Sequence, residues 1–372
     1  MDNLKRCIFH IPYQIDSNVK SGTNIRPIKM KQAFEENGYI VDCIWGYGKE
    51  RKEKIKEIEA KIRQGMKYDF VYSENNTMPT ALTEKNHIPK YFNLDFAFFK
   101  FCKKQGIKIG LFYRDVYWKF DVYKEKTNLI QRMISIPLYK YDLYQYDRLV
   151  DHLYLPSNKM RAYAEVVEEY SELPPGCEIN KSVIEYKKKI QANEMLELFY
   201  VGGIGELYDI GKLLSVVSEL TFVKLTICCR ENEWNENRSR YEKYLNKNIQ
   251  IIHKSGKDLN EYYKKADISL LYFSSEGYRS FAMPVKLFEY MGNMTPIIAT
   301  KGSAAGEFVE LYDIGWNISY DESSLKSLLE LIFYNREKLI EKSNNLANAL
   351  NKNSWKARAT QVIKELTKGE EK

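Results

Sequence analysis

Lys286 and Glu289 stand three residues apart within FAMPVKLFEYMGNMTP (281–296). At that spacing two side chains share one helix face, so a cation and a carboxylate emerge side by side. Leu287, Phe288, Tyr290 and Met291 make the run apolar. Gly292 and Pro296 end it, and Ile297 and Ile298 open a buried strand. An amine beside a carboxylate suits a ligand that carries both phosphate and ribose hydroxyls: Lys286 takes the phosphate and Glu289 accepts from the diol. The same spacing also describes a surface ion pair on an ordinary amphipathic helix, which contributes little. Periodicity alone leaves both readings open.

Other residues of similar promise fall just after strand-like runs. Gly202 and Gly203 follow LELFYV, where glycine lets backbone approach a diphosphate or simply makes a tight turn of positive φ. Arg230 closes KLTICCR, placed to pair with phosphate oxygens or to lie solvated at a strand end. Ser21, Gly22, Thr23 and Arg26 are expected to form a loop after strand one, with space for an acceptor or leaving phosphate. Asp115, in FYRDVYWKF, is the best carboxylate for a general base, unless its neighbour Arg114 neutralises it as a structural pair. His10 reads as a satisfied core imidazole. The sequence holds no D-x-D motif, so no metal is expected to carry a diphosphate; Arg, Lys and helix dipoles would stabilise its charge.

The elements that must position these residues alternate. Strands are predicted at 6–12, 39–45, 69–74, 107–115 and 150–157, with helices at 26–38, 50–65, 94–106 and 158–167 between or after them. A charged stretch at 178–195 reads as a connection. A second series then runs from strand 196–203 through helix 208–219, strand 224–230, helix 237–246, strand 249–253, helix 259–266, strand 267–273, helix 284–291, strand 296–300, helix 306–313 and strand 315–320. Helix 323–333 packs outside, and residues 354–366 carry an amphipathic pattern. Such alternation implies parallel sheets with helices on both faces, hence an α/β fold of two Rossmann-like, doubly wound domains. Sites in such folds lie beyond the carboxyl ends of the strands.

At 372 residues, 44% hydrophobic and 29% charged, the chain is long enough for two globular domains. No window reaches the ~18 apolar residues of a membrane span. MDNLKRCIFHIPY is too briefly apolar for a signal peptide. The six cysteines lack metal-type spacing and several sit in apolar surroundings, which predicts a reducing cytoplasm. A net charge of +7 favours anionic partners; without a nucleic-acid motif, nucleotide diphosphates and an anionic membrane surface fit better than nucleic acid. Residues 128–149, interrupted by Pro137, mix Leu, Ile and Tyr with Arg and Lys. They suit a bilayer interface and, equally, a helix pair lining a cleft.

The run P-x-K-L-F-E-Y-M (284–291), a glycine turn and P-I-I-A-T (296–300) resemble the donor-site signature of GT-B glycosyltransferases, closest to bacterial polysaccharide enzymes of the family 4 type. The resemblance runs through most of 196–310 and more loosely through 8–46 and 110–176. It implies an acceptor-binding domain (1–178), a nucleotide-sugar-binding domain (190–350) facing it across a cleft, and a C-terminal helix (351–372) returning to the first. It also implies that Lys286 and Arg230 hold the diphosphate and Glu289 the ribose. Such enzymes usually carry a second glutamate eight positions earlier, where this chain has Phe281. Glu276 in SSEGYRS is the available substitute near the transferred sugar, with Arg279 or Ser280 as further sugar contacts.

The expected function is therefore metal-independent transfer of a sugar from a nucleotide-diphosphate donor to a saccharide or lipid-linked acceptor in cell-surface polysaccharide biosynthesis, in the cytoplasm and in peripheral contact with the membrane. Asp115 deprotonates the acceptor if the enzyme inverts, and becomes an acceptor contact if it retains. The missing glutamate keeps open a catalytically silent nucleotide-sugar-binding subunit; a nucleotide-sugar epimerase of the same fold is the other alternative.

Overall fold

The computed structural model describes residues 4–15, 22–164, 166–187 and 194–368. The chain divides into two units, residues 1–176 with 355–372 and residues 177–354. In the first, β1 (Arg6–His10), α1 (Gly22–Glu36), β2 (Ile40–Ile44), α2 (Gly48–Arg63), β3 (Phe70–Glu74), α3 (Leu94–Lys104) and β4 (Lys108–Phe112) alternate. Then come α4 (Asp121–Lys126), α5 (Leu129–Leu149), β5 (His152–Leu155) and β6 (Tyr170–Glu172). The strands form one sheet in the order β2-β1-β3-β4-β5-β6, each pair parallel. All five residues of β3, FVYSE, are buried, as a strand covered on both faces requires.

The second unit begins with α6 (Lys181–Lys187) and continues β7 (Leu196–Val201), α7 (Gly211–Glu219), β8 (Val223–Cys228), α8 (Glu231–Tyr241), β9 (Ile249–Ile252) and α9 (Asn260–Lys265). It ends β10 (Ile268–Leu271), α10 (Val285–Gly292), β11 (Ile297–Thr300), α11 (Ala304–Leu311), β12 (Gly315–Ile318), α12 (Glu322–Tyr334) and α13 (Glu337–Leu350). Its sheet, also parallel throughout, is ordered β12-β11-β10-β7-β8-β9. The chain then rejoins the first unit as α14 (Trp355–Thr367), which packs Ala359, Val362 and Leu366 into the first core. Gly110 makes room for it: a Cβ there would sit 2.8 Å from a Leu366 methyl.

Several expectations are corrected. Gly22, Thr23 and Arg26 belong to the first turns of α1 instead of a loop, and Pro27 lies inside that helix; Ser21 falls outside the described residues. Pro137 does not interrupt 128–149, which is one helix. Proline removes a single internal hydrogen bond, and Ser135, Tyr139, Asp142 and Tyr146, buried on either side of it, hold the segment helical. Residues 158–163 make a 3-10 turn, and β6, unforeseen in the sequence, adds an edge strand. Within the supposed connection, residues 181–187 are helical.

Candidate functional site

Each sheet reverses its strand order once, between β1 and β3 in the first unit and between β7 and β10 in the second. In open α/β sheets, ligands bind outside the carboxyl ends of the strands at this reversal. In the second unit that place is framed by the loops after β7 and β10 and by the start of α10.

Tyr290 anchors α10 there. Fully buried, its hydroxyl lies 3.0 Å from the amide N of Val201 at the end of β7 and within 3.4 Å of the Leu270 carbonyl on β10. One turn earlier, Lys286 Nζ meets Glu289 Oε2 at 2.5 Å, and the buried Tyr263 hydroxyl donates to Glu289 Oε1 at 2.9 Å. Both charged side chains remain 32% exposed, so the pair is held from beneath and open above. Lys286 is also close enough to Cys228, the last residue of β8, to favour its thiolate, although burial pushes that thiol up overall.

Gly202 and Gly203 lie directly after β7. Neither needs left-handed backbone; the positive φ of this loop, +117°, belongs to Gly205. Close approach demands glycine at Gly202, where a Cβ would come 2.9 Å from the Tyr200 hydroxyl; at Gly203 a Cβ would meet the Tyr208 ring at an ordinary 3.4 Å. Facing this loop, the first turn of α8 carries Glu233, whose Oε2 is buried without a hydrogen-bond partner. Arg230 caps that helix and is 74% exposed, its guanidinium paired with Glu233 Oε1. Beyond β10, Glu276 is exposed at the head of a 3-10 turn, Gly277–Ser280. Arg279 in that turn keeps Nη1 buried with no partner. Phe281 is buried against Tyr278, ring centroids 5.3 Å apart.

In the first unit the corresponding place holds a buried ionic cluster. Arg26 Nε reaches Glu74 Oε1 at 3.1 Å and Arg114 Nη2 reaches Glu74 Oε2 at 3.2 Å, with Glu74 wholly buried. Arg26 lies over Phe112 at 3.6 Å and is 3% exposed. It is a packed member of the helix–sheet interface. Arg114 turns toward Glu74, Asn75 and Tyr13 (hydroxyl 3.1 Å). Asp115 is half-buried and accepts from the Tyr117 amide at 2.8 Å. His10 is the satisfied core group its surroundings suggested: Nδ1 meets Ser73 Oγ and Nε2 meets Asp95 Oδ1, both at 2.9 Å, and Arg51 grips the same carboxylate. Burial pushes Asp95 up most strongly, but the His10 and Arg51 hydrogen bonds and charges outweigh it and hold the carboxyl below its usual range.

Sequence reasoning missed Tyr263, Glu233 and Glu74. Tyr263 is distant in sequence from Glu289 and carried no signal. Glu74 did, as a charged residue ending an otherwise apolar strand in an α/β pattern. Among the described residues no group of three or more His, Cys, Asp or Glu is disposed to hold a metal ion. No helix of the described residues is long and apolar enough to cross a membrane.

Two parallel α/β units of this topology, the last helix returning to the first, define the GT-B fold. Residues 197–330, which contain the Lys286–Glu289 pair and both glycines, match the family of glycosyl transferases, group 1, so the second unit carries a domain of that kind within a chain of GT-B fold. The glycosyltransferase from Rickettsia africae ESF-5 superposes with a TM-score of 0.65 at 14% identity, covering 98% of this chain and 99% of that one. HepE of Anabaena, solved with UDP and glucose, gives 0.62 at 10% identity over 98% and 99%. Sucrose-phosphate synthase from Thermosynechococcus elongatus gives 0.60 at 13% over 96% and 97%. At such identities the likeness is one of fold. No curated protein matches the chain.

Proposed function

We propose that the second unit binds a nucleotide-diphosphate sugar and that the enzyme transfers the sugar to a saccharide or lipid-linked acceptor held by the first, in the assembly of a cell-surface polysaccharide. The observation that carries this reading is the Lys286–Glu289 pair, presented at the reversal of the second sheet by a helix whose Tyr290 is fastened to β7 and β10. Lys286 would neutralise the diphosphate, and Glu289 would accept from the ribose hydroxyls, Tyr263 fixing its rotamer. Gly202 and Gly203 would let the phosphates close on the backbone. Arg230, exposed and attached to Glu233 at a helix start, would swing onto the diphosphate when it arrives. HepE has been solved with UDP-glucose, and the Escherichia coli trehalose-6-phosphate structure holds UDP-2-fluoro glucose; both support a nucleotide-sugar donor here.

Arg279, with an unpartnered Nη1, and Glu276 are assigned to the transferred sugar. Asp115 is assigned to the acceptor hydroxyl, as general base or as contact. Charge on the leaving diphosphate is met by Lys286, Arg230 and backbone N–H groups without a metal. Buried Phe281, standing where a first glutamate would be, favours the second reading of a silent donor-binding subunit. A panel of nucleotide sugars assayed for thermal stabilisation and for donor turnover separates the two: stabilisation with transfer or hydrolysis supports the enzyme, and stabilisation without turnover on any acceptor supports the subunit.

A further inference from the structure

Helix α5 is apolar on two faces. The face it turns to the first core carries Ser135, Tyr139, Asp142 and Tyr146, all buried. The opposite face carries Ile130, Met133, Ile134 and Tyr144, bordered by Leu129. Ile130 is 71% exposed, Met133 68%, Leu129 64% and Ile134 53%. Four neighbouring aliphatic side chains standing in water are an unusual feature of a folded surface, where large apolar patches mark an interaction site. Farther along, Tyr144 is 54% exposed, and Phe92, 39% exposed, lies beside Tyr141, ring centroids 4.8 Å apart, where Tyr141 packs on Phe96 of α3.

The charge around this face is mainly basic. Lys126 at the end of α4, Lys140 and Arg148 are exposed, Arg148 donating to the Tyr144 hydroxyl at 2.7 Å. Of the nearby acids, Asp121 is paired with Lys124 on its own helix; Glu125 and Asp147 stand exposed. A helix of 21 residues is about 30 Å long, too polar to span a bilayer but long enough to lie along one. Apolar residues on one line, Tyr144 farther along it and a rim of Lys and Arg form the composition that seats a helix at the headgroup boundary.

We propose that the outer face of α5 docks this protein on an anionic lipid bilayer, with Leu129, Ile130, Met133 and Ile134 in the acyl boundary and Lys126, Lys140 and Arg148 against headgroup phosphates. A second copy of the chain would set these basic rims toward each other, whereas an anionic surface complements them. This assignment concerns the first unit alone and stands apart from the donor chemistry of the second.

The test is flotation of the full chain with vesicles of phosphatidylcholine alone and of phosphatidylcholine mixed with phosphatidylglycerol, without nucleotide sugar. The protein should bind the anionic vesicles more tightly than the neutral ones, and less at high salt. Ile130→Ser/Met133→Ser/Ile134→Ser should weaken partitioning by about tenfold or more. Its circular dichroism and melting should stay unchanged, because the removed side chains touch water. Lys140→Glu with Arg148→Glu should abolish the preference for anionic lipid. Absence of wild-type binding, or undiminished binding by the triple variant, overturns the proposal. So does a wild-type dimer by light scattering that the triple variant turns into a monomer without any vesicle binding. Since no donor is present, failure here leaves the glycosyl-transfer reading intact, and the reverse holds.

Discussion

The hydroxyl of Tyr263 donates to Glu289 Oε1 at 2.9 Å while Lys286 occupies Oε2 at 2.5 Å, so both oxygens of one carboxylate are claimed from within the second unit. This fixes the rotamer of Glu289 before any ligand arrives, and preorganisation of that kind lowers the cost of binding. Glu289→Ala and Lys286→Ala should each weaken nucleotide binding by about 10- to 100-fold, the worth of a charge-assisted hydrogen bond, while leaving the fold intact. Tyr263→Phe should cost less, since it loosens the carboxylate without removing it. Titration calorimetry of the three variants checks the order; unchanged affinity in the first two refutes the site.

Asp115 is where the proposed chemistry can be tested with the smallest change of shape. Its Oδ1 accepts the Tyr117 amide in a local turn. Asparagine can make the same turn, so Asp115→Asn should preserve that turn and, since donor binding falls on the second unit, donor affinity. If Asp115 serves as general base, transfer should drop by about 10²- to 10⁴-fold. Retention of full transfer would remove Asp115 from the reaction.

Glu74 is the keystone of the first unit's strand ends, shared by Arg26 and Arg114 and itself fully buried. Removing one member of such a cluster leaves uncompensated buried charge, at a cost of about 3–5 kcal/mol. Glu74→Gln should therefore lower stability by that order in urea unfolding. Adding Arg26→Met should recover part of the loss, since Arg26 already packs flat against Phe112.

The alternation of strand and helix was plain in the sequence because parallel strands buried on both faces, such as FVYSE and IIAT, read as short apolar runs. Lys286 and Glu289 were legible for a similar reason: three-residue spacing is a local rule, obeyed before any tertiary contact forms. What escaped was set by partners far along the chain. Arg26 looked like a loop residue, and partners far along the chain, Glu74 48 positions on and Phe112 beneath its guanidinium, account for its burial in a helix. Pro137 looked like a break because the flanking buried side chains that hold α5 together cannot be weighed locally. The first turns of α1 absorbed Gly22 and Thr23 despite their poor helix propensity, an instance of tertiary context overriding a local preference.

Asp142 gives the stability of the first unit a definite pH dependence. It is buried on the inner face of α5, accepts the Thr80 amide at 2.7 Å through Oδ2, and leaves Oδ1 without a partner. Burial pushes its carboxyl up to about 7. A raised folded value means that the folded state holds its proton more tightly than the unfolded chain. The stability this contributes is fully present below about pH 4 and is lost as pH rises through 7. Asp142→Asn keeps an acceptor for Thr80 and carries no charge to bury. The variant should match the wild type in melting temperature near pH 4 and exceed it at pH 8, by an amount on the order of 1 kcal/mol or more. Melts across that range provide the check. A constant difference between the two proteins at every pH would show that Asp142 does not titrate on folding.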